Sequence, residues 1–456
     1  MQNYKQQFKD KKITIMGLGI LGRGVGYTKF LAECGADLIV TDLKTKEQLA
    51  TSIQALKKFK NIKFVLGEHR LEDFINRDMV IKAAGVPIDS IYIKEAKKNK
   101  IPVEMDVSLF AKCAPGVMII GVTGTRGKSM TTTLIYQILR QNIKDNNVYV
   151  GGNLRGVATL PLLKKVKARD ILVCELDSWQ LQGFGEAKIS PHISVFTTFM
   201  PDHMNYYKNS MKDYFNDKAN IFKYQKKNDV LIIRPGMKKF INKKEVKGKL
   251  VVINSEKVKN WKFNVPGIHH RENLACAVAV AKQLGISEVK IKKSITDFKD
   301  LEGRLQLLRT YKGIKIYNDN NATTPEATIA GIEALVDQPR TRFRASPEPG
   351  SGQRRIILIC GGSDKGLPLD NFVKTVNKYC KAVIFLEGSG TEKLLSSKQK
   401  VVGIKVKTIK EAVQEAIKQA NKGDIILFSP AFASFGMFNN EYERNDLFMK
   451  IIRSLK

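Results

Sequence analysis

The chain has 456 residues, 43% hydrophobic and 27% charged, with 14 prolines, a length that suits about three domains and a composition that excludes a disordered chain. No apolar run approaches the ~20 residues of a membrane helix and no secretory apolar core follows the first lysines, so a cytoplasmic protein without membrane insertion is expected. Six widely spaced cysteines without a CxxC pair exclude a disulfide scaffold or zinc ribbon, and the net charge of +33 is spread along the chain as a lysine-rich solvated surface, so no nucleic-acid partner is expected.

Strand-like runs alternate with helical periods almost throughout, which predicts an α/β protein with largely parallel sheets. Ile13–Met16, Leu38–Val40, Phe64–Leu66 and Met79–Lys82 are short β runs, with helical spacing over Leu21–Cys34 and Lys46–Phe59. The first run leads into Gly17-Leu-Gly-Ile-Leu-Gly22, a GxGxxG opening a helix, and Asp42 ends the next strand, 20 residues beyond Gly22. Such glycines let backbone approach a pyrophosphate at a helix N-terminus, while the acid accepts from a ribose hydroxyl. The pattern fits a Rossmann-type nucleotide site, and also a glycine turn needed only for helix–strand packing. Arg23, just past the third glycine, is placed either to reach a phosphate or to face solvent.

The turn-type stretch Ala114-Pro115-Gly116 opens a second series. Its strands are expected at Val117–Val122, Ile171–Glu175, Ile193–Thr197, Val230–Ile233 and Leu250–Ile253, with helices near 128–141, 211–223 and 271–284. The first of these strands runs into Thr123-Gly-Thr-Arg-Gly-Lys-Ser129, which follows P-loop logic. Backbone N–H groups cradle phosphate oxygens, Lys128 bridges to the terminal phosphates, and the Ser129 hydroxyl ligates Mg²⁺. The spacing departs from GxxxxGK[ST], since residue 122 is valine and the early glycines are Gly121 and Gly124. Glu175 ends a strand where a nucleotide-binding sheet carries a metal carboxylate. His203 follows another strand edge in Pro201-Asp-His-Met-Asn205. By itself Lys218 is one surface lysine among many.

A third series begins near Gly303, with strands at Ile314–Tyr317, Ile356–Ile359, Val383–Leu386 and Ile425–Phe428. Residues 338–355, rich in arginine and proline, read as a flexible basic loop inside it. The expected division is therefore three α/β domains: a Rossmann-like domain over 1–114, a P-loop ATPase-type domain over 115–302 and a second Rossmann-like domain over 303–456.

Taken together, Thr123–Ser129, Gly151-Gly-Asn153, Glu175-Leu-Asp-Ser-Trp-Gln-Leu181, Asp202-His-Met204 and Lys218-Ala219 resemble the Mur ligase family, ATP-dependent amide ligases of peptidoglycan precursors. The likeness covers essentially the whole chain. In the third domain Asn318-Asp-Asn-Asn-Ala-Thr323, Gly361-Gly-Ser-Asp-Lys365, Ser429–Ser434 and Arg444 resemble the glutamate-adding member. The resemblance implies that Gly124, Thr125, Gly127, Lys128, Ser129 and Met130 hold the ATP phosphates, and that Asn273, Arg304 and Asp319 hold adenine, phosphate and ribose. It implies Mg²⁺ at Ser129, Glu175 and His203, with Lys218 carried as a carbamate. Asn153 would face the reacting carboxylate and phosphate. Gly19, Ile20, Leu21 and Asp42 would hold a UDP-muramoyl substrate, and Thr323, Lys365 and Ser434 the incoming glutamate. A monomer is expected. His270, Gly303, Asn321 and Glu441 depart from the family's motifs, and the last two border the acceptor site, leaving the glutamate enantiomer open. A folylpolyglutamate-synthase-like ligase, an NAD-dependent oxidoreductase and a P-loop nucleic-acid motor are the alternatives.

Overall fold

The computed structural model describes residues 4–298, 300–336, 354–396 and 401–455. The basic segment 338–355 thus lies outside the described residues except for its last two positions. Three sheets organise the chain, and the architecture is three-domain α/β.

The first sheet contains β1 (Lys12–Met16), β2 (Asp37–Asp42), β3 (Ile62–Leu66), β4 (Met79–Lys82) and β5 (Val103–Glu104). Its order is β3-β2-β1-β4-β5 with every pairing parallel, the arrangement of a mononucleotide-binding Rossmann half. The second sheet holds β6 (Met118–Thr123), β7 (Val148–Gly152), β8 (Ile171–Glu175), β9 (Ile193–Phe196), β10 (Val230–Ile233) and β11 (Lys249–Val252). It runs β11-β10-β9-β6-β8-β7, again all parallel. The third is mixed: β12 (Gln306–Tyr311) pairs antiparallel with β13 (Ile314–Asn318), and β14 (Ile356–Gly361), β15 (Cys380–Leu386), β16 (Ile404–Val406) and β17 (Ile425–Phe428) are parallel. Its order is β12-β13-β17-β14-β15-β16.

Parallel strands need crossovers, so helices cover both faces and interior strands read as continuous apolar runs. β8, β9, β10 and β14 are buried along their whole lengths. The expected strands are all present. Four further strands, β5, β7, β12 and β16, were not expected, and each lies at the edge of its sheet. The expected helix at 46–59 shortens to Ala50–Leu56, and the one at 211–223 ends at Ala219.

Two compact units result: Met1–Asn260 with Glu272–Ile295, and Trp261–Arg271 with Thr296–Lys456. The first therefore carries two sheets. One buried apolar cluster joins them, with Phe30 and Leu31 packed in the same core as Leu160 and Leu163. Polar ties reinforce it. The buried Asp106 carboxylate accepts from Thr159 N at 2.8 Å and Leu160 N at 2.7 Å, capping the short helix Leu160–Lys164. Lys82, at the end of β4 and 2% exposed, donates to Val86 O at 3.0 Å and to Gln182 Oε1 at 3.3 Å. Gln182 in turn donates to Tyr206 Oη at 3.1 Å and Asp217 Oδ2 at 2.8 Å.

Burial holds the Lys82 ammonium down at about 8 from 10.5. Between those values the unfolded chain keeps a proton that the folded chain has released, so folding stability rises with pH through that window. Lys82→Met removes this titration. The parent's unfolding free energy relative to the variant should be flat below about pH 8 and climb between about pH 8 and 10.5, by an amount on the order of 3 kcal/mol. Parallel pH profiles for the two proteins would contradict a buried, weakly paired ammonium.

Candidate active site

β6 lies between β8 and β9, with Val122 opposite Glu175 and Thr123 opposite Phe196. The loop after β6 therefore emerges at the carboxyl edge of the sheet, flanked by Glu175 on one side and by residues 197–203 on the other. Thr125 N donates to Thr198 O at 2.7 Å, Arg126 N to Thr198 Oγ1 at 2.8 Å and Thr197 Oγ1 to Arg126 O at 2.5 Å. These bonds fix the loop against the residues that follow β9. Gly124 has φ 144°, and a Cβ there would sit 2.0 Å from Thr197 Oγ1. Gly127 has φ 86° and caps the helix Lys128–Asn142; its Cβ would meet Asn273 Oδ1 at 2.4 Å. The result is a tight backbone cradle at a helix N-terminus, built to receive an anion.

Two lysines converge on this loop. Lys128 Nζ donates to Gly124 O at 3.0 Å and Thr125 O at 3.1 Å, and Lys218 Nζ donates to the same Gly124 O at 3.0 Å. Lys218 is 1% exposed, lies over the Tyr214 ring at 4.8 Å, and has no carboxylate within ion-pair distance among the described residues. Burial first, and the neighbouring Lys128 charge second, push its pKa well below that of an ordinary lysine. It is not a surface lysine. The sequence could not reveal this, because its burial depends on the loop after β6, 94 positions away in the chain at Gly124.

Glu175 is 4% exposed, and its Oε2 is buried with no hydrogen-bond partner among the described residues. His203 has φ 56°, a left-handed conformation uncommon for a side chain of its size. Its N donates to Asp202 Oδ1 at 3.1 Å, and its ring lies 4.7 Å from Trp179. Asp202 also holds Arg126 Nη1 at 2.8 Å. Among the described residues no cluster of three His, Cys, Asp or Glu side chains forms. The orphaned Glu175 oxygen, the Ser129 hydroxyl position, the imidazole and a lysine of depressed pKa fit Mg²⁺, which takes few protein ligands and completes its shell with water and substrate phosphate.

Asn273, 2% exposed, presents its amide to Gly127, and Thr131 Oγ1 donates to its Oδ1 at 3.2 Å. Arg234 also donates to that oxygen and pairs with Glu272 at 2.7 Å. Arg234 escaped the sequence reading; an arginine directly after a buried strand was its only signal. Met130 is 2% exposed and packs into the core, so only its backbone is available to a ligand.

In the first domain Gly19 N donates to Asp42 Oδ2 at 2.9 Å and Lys44 N to Asp42 Oδ1 at 2.9 Å. Asp42 thus pins the glycine loop, and both its oxygens are engaged by backbone. Ile20 and Leu21 are exposed beside it, 42% and 39%. Arg23 does not stand alone in solvent: its Nη2 donates to Asn153 Oδ1 at 2.8 Å.

In the second unit, Asp319 is held by Leu305 N at 3.0 Å and Ser429 Oγ at 2.9 Å, and burial pushes its carboxyl up to about 7. Arg304 Nη1 lies 3.4 Å from Asn321 O. Lys365 Nζ donates to Thr323 Oγ1 at 3.2 Å, while Ser363 bridges to Ala433 beside the buried Ser434. The three expected glutamate contacts therefore gather at the carboxyl edge of β13, β14 and β17. Two departures from the family pattern meet: a Cβ at Gly303 (φ 70°) would lie 2.7 Å from Asn321 Nδ2. His270 is buried, its ring centroid 4.1 Å from that of His269.

The profile described as Mur ligase MurD-like, N-terminal domain matches residues 11–104, that of the Mur ligase middle domain residues 122–256, and that of the Mur ligase, glutamate ligase domain residues 303–432. A relative from Roseiflexus sp. (strain RS-1), named UDP-N-acetylmuramoylalanine--D-glutamate ligase, is 33% identical over 98% of this chain and 99% of its own. One of the same name from Borreliella afzelii (strain PKo) is 34% identical over the same shares. The chain belongs to the Mur ligase family. Solved structures with this fold include the UDP-N-acetylmuramate-alanine ligase MurC of Thermotoga maritima, with TM-score 0.60, 18% identity and coverage of 98% of this chain and 100% of that one. A second is the MurF ligase of the same organism in complex with ADP, with TM-score 0.58, 16% identity and coverage of 98% and 96%. Mur ligases are ATP-dependent amide-bond-forming ligases, and a tight glycine turn at a helix N-terminus suits a phosphate group.

Gly124→Ala should weaken binding of a fluorescent ATP analogue at least tenfold, because its Cβ would collide with Thr197 Oγ1 and the Thr198 backbone and displace the loop. Gly236→Ala, where a Cβ would meet nothing within 4 Å, should leave it unchanged. Equal affinities for the two variants would refute the cradle.

Proposed function

We propose that this Mur ligase adds D-glutamate to UDP-N-acetylmuramoyl-L-alanine, using ATP and Mg²⁺, in peptidoglycan precursor synthesis. The observation that carries the proposal is the convergence of Lys128 and Lys218 on one P-loop carbonyl, beside the unpartnered Glu175 oxygen, in a chain resembling D-glutamate ligases over nearly its full length. Residues 1–114 take the UDP substrate, 115–302 take ATP, and 303–456 take the amino acid.

A carboxylate does not acylate an amine at neutral pH, so it must first be activated. Transfer of the ATP γ-phosphoryl group to the alanyl carboxylate gives an acyl phosphate; the glutamate amine attacks it and phosphate leaves. Two anions must meet for this, and the chain lowers that cost with positive charge placed in advance. Lys128, anchored at the cradle, neutralises charge on the transferred group. The backbone N–H groups of Gly127, Lys128 and Ser129 at the helix N-terminus fix the phosphates, and Asn153 orients the carboxylate. Mg²⁺ would supply there positive charge to offset that of the phosphates. Glu175, Ser129 and His203 would hold it. Lys218 joins them as a carbamate: burial and the Lys128 charge favour its neutral amine, whose nitrogen adds CO₂ and releases a proton. Thr323, Lys365 and Ser434 hold the glutamate, and Asn273, Arg304 and Asp319 the nucleoside and a phosphate.

Phosphate release from ATP should require UDP-MurNAc-L-Ala and D-glutamate together. Release without the acceptor pair, or with L-glutamate preferred, would overturn the assignment. Lys128→Ala should cost on the order of 10² or more in turnover while leaving UDP-substrate binding intact.

Lys218→Ala should be nearly inactive and partly rescued by acetate, and intact-mass analysis of the parent in bicarbonate should show an added 44 Da, about the mass of CO₂. Parental activity in the alanine variant would return Lys218 to a packing role.

A further inference from the structure

Arg23 opens the helix Arg23–Glu33 directly after the glycine loop of the first domain, and that helix end is pressed against the segment following β7 in the second. A Cβ at Gly26 would come within 2.7 Å of Ala158 Cβ, and one at Gly22 within 3.5 Å of Gly156 Cα. This close approach brings the Arg23 guanidinium to Asn153, which its Nη2 reaches at 2.8 Å. The backbone of Asn153 is itself fixed, since its N donates to Glu175 O at 2.7 Å.

An asparagine amide can sit in two nearly isosteric orientations, one the flip of the other. Guanidinium has donors and no acceptor. A contact between Arg23 and the Asn153 side chain therefore admits only the orientation in which Oδ1 faces the arginine, which turns the Nδ2 donors away from it. A donor is what an anionic carboxylate or phosphoryl oxygen requires. Arg23 has no carboxylate within ion-pair distance among the described residues, and its Nε is buried without a partner there. Its charge also acts on the buried Asp106 and favours that carboxylate, without forming an ion pair.

We propose that Arg23 is a positioning residue of the ligase: it sets the amide of Asn153 with the NH₂ face toward the reacting anions and so joins the UDP-substrate domain to the phosphoryl-transfer site. The inference rests on the role given to Asn153 above. In the glycine-loop motif Arg23 occupies a position the nucleotide fingerprint leaves unspecified, so its task comes from the second domain and not from the first.

The test compares Arg23→Met, Arg23→Lys, Asn153→Ala and the double variant Arg23→Met/Asn153→Ala in the steady-state ligase assay, with melting temperatures recorded for each. Arg23→Met should lower kcat about tenfold to a hundredfold, the range of a hydrogen bond to a charged group, with KM for ATP and for glutamate unchanged. Arg23→Lys, which keeps a cationic donor, should recover much of the loss. The double variant should be no slower than Asn153→Ala, because the two residues act in series. Parental kcat in Arg23→Met alongside a crippled Asn153→Ala overturns the inference and leaves the ligase reading standing. Additive losses also overturn it, as does a raised KM for the UDP substrate at unchanged kcat, which would make Arg23 a direct substrate contact. Parental kcat in Asn153→Ala refutes the role of Asn153 and the inference with it.

Discussion

Lys128 and Lys218 direct their ammonium groups at a single acceptor, the carbonyl of Gly124. Two like charges at hydrogen-bond distance from one oxygen repel, and burial raises the cost because little water screens them. The arrangement makes sense only where anions are to be received or where one lysine is not protonated. Both conditions suit a ligase that brings a triphosphate against a carboxylate. The surrounding elements serve this juncture: the glycines at 124 and 127 let the loop approach Thr197 and Asn273 more closely than a side chain would allow, and Thr197 and Thr198 brace the loop from β9. Glu175 arrives on the neighbouring strand with an oxygen left unpartnered.

The site cannot be assembled by the second domain alone. Asp106, Lys82 and Arg23 come from the first, and each crosses to a specific partner: the N–H groups at 159 and 160, Gln182, and Asn153. All three are buried or half-buried polar side chains with a partner across the boundary, which fixes register better than apolar packing does. The chain from Lys82 through Gln182 to Asp217 ends one residue before Lys218. The end of β4 is thereby tied to the helix that carries the lysine. The +33 charge of the chain plays a lesser part, since the two cations at the cradle are defined by their contacts and the remainder are dispersed along the surface.

Order along the chain and element type were legible from sequence wherever a strand is interior. β1, β6, β8, β9, β10, β14 and β17 are buried on both faces and read as apolar runs. β5, β7, β12 and β16 are edge strands, short or half exposed, and their weak hydrophobic signal has that physical cause. The motifs were legible for a different reason. A phosphate cradle needs glycine, lysine and a hydroxyl at fixed backbone offsets, so Thr123–Ser129 announces itself, and the order of later motifs carries the family.

What the sequence could not determine is which side chains face one another. Asp42 and Arg23 stand at motif positions that suggest a ribose and a phosphate, yet the fold engages them with Gly19, Lys44 and Asn153. Lys218 is one of 77 lysines and arginines, and nothing local distinguishes it; only the packing of its helix against the loop after β6 buries it. Gly303 and Asn321, which differ from the family pattern separately in sequence, are neighbours in space. Local backbone chemistry is written in consecutive residues, so sequence alone fixed the cradle and the succession of strands and helices. Burial, charge environment and amide orientation depend on residues tens to hundreds of positions apart, and those only the tertiary structure decided.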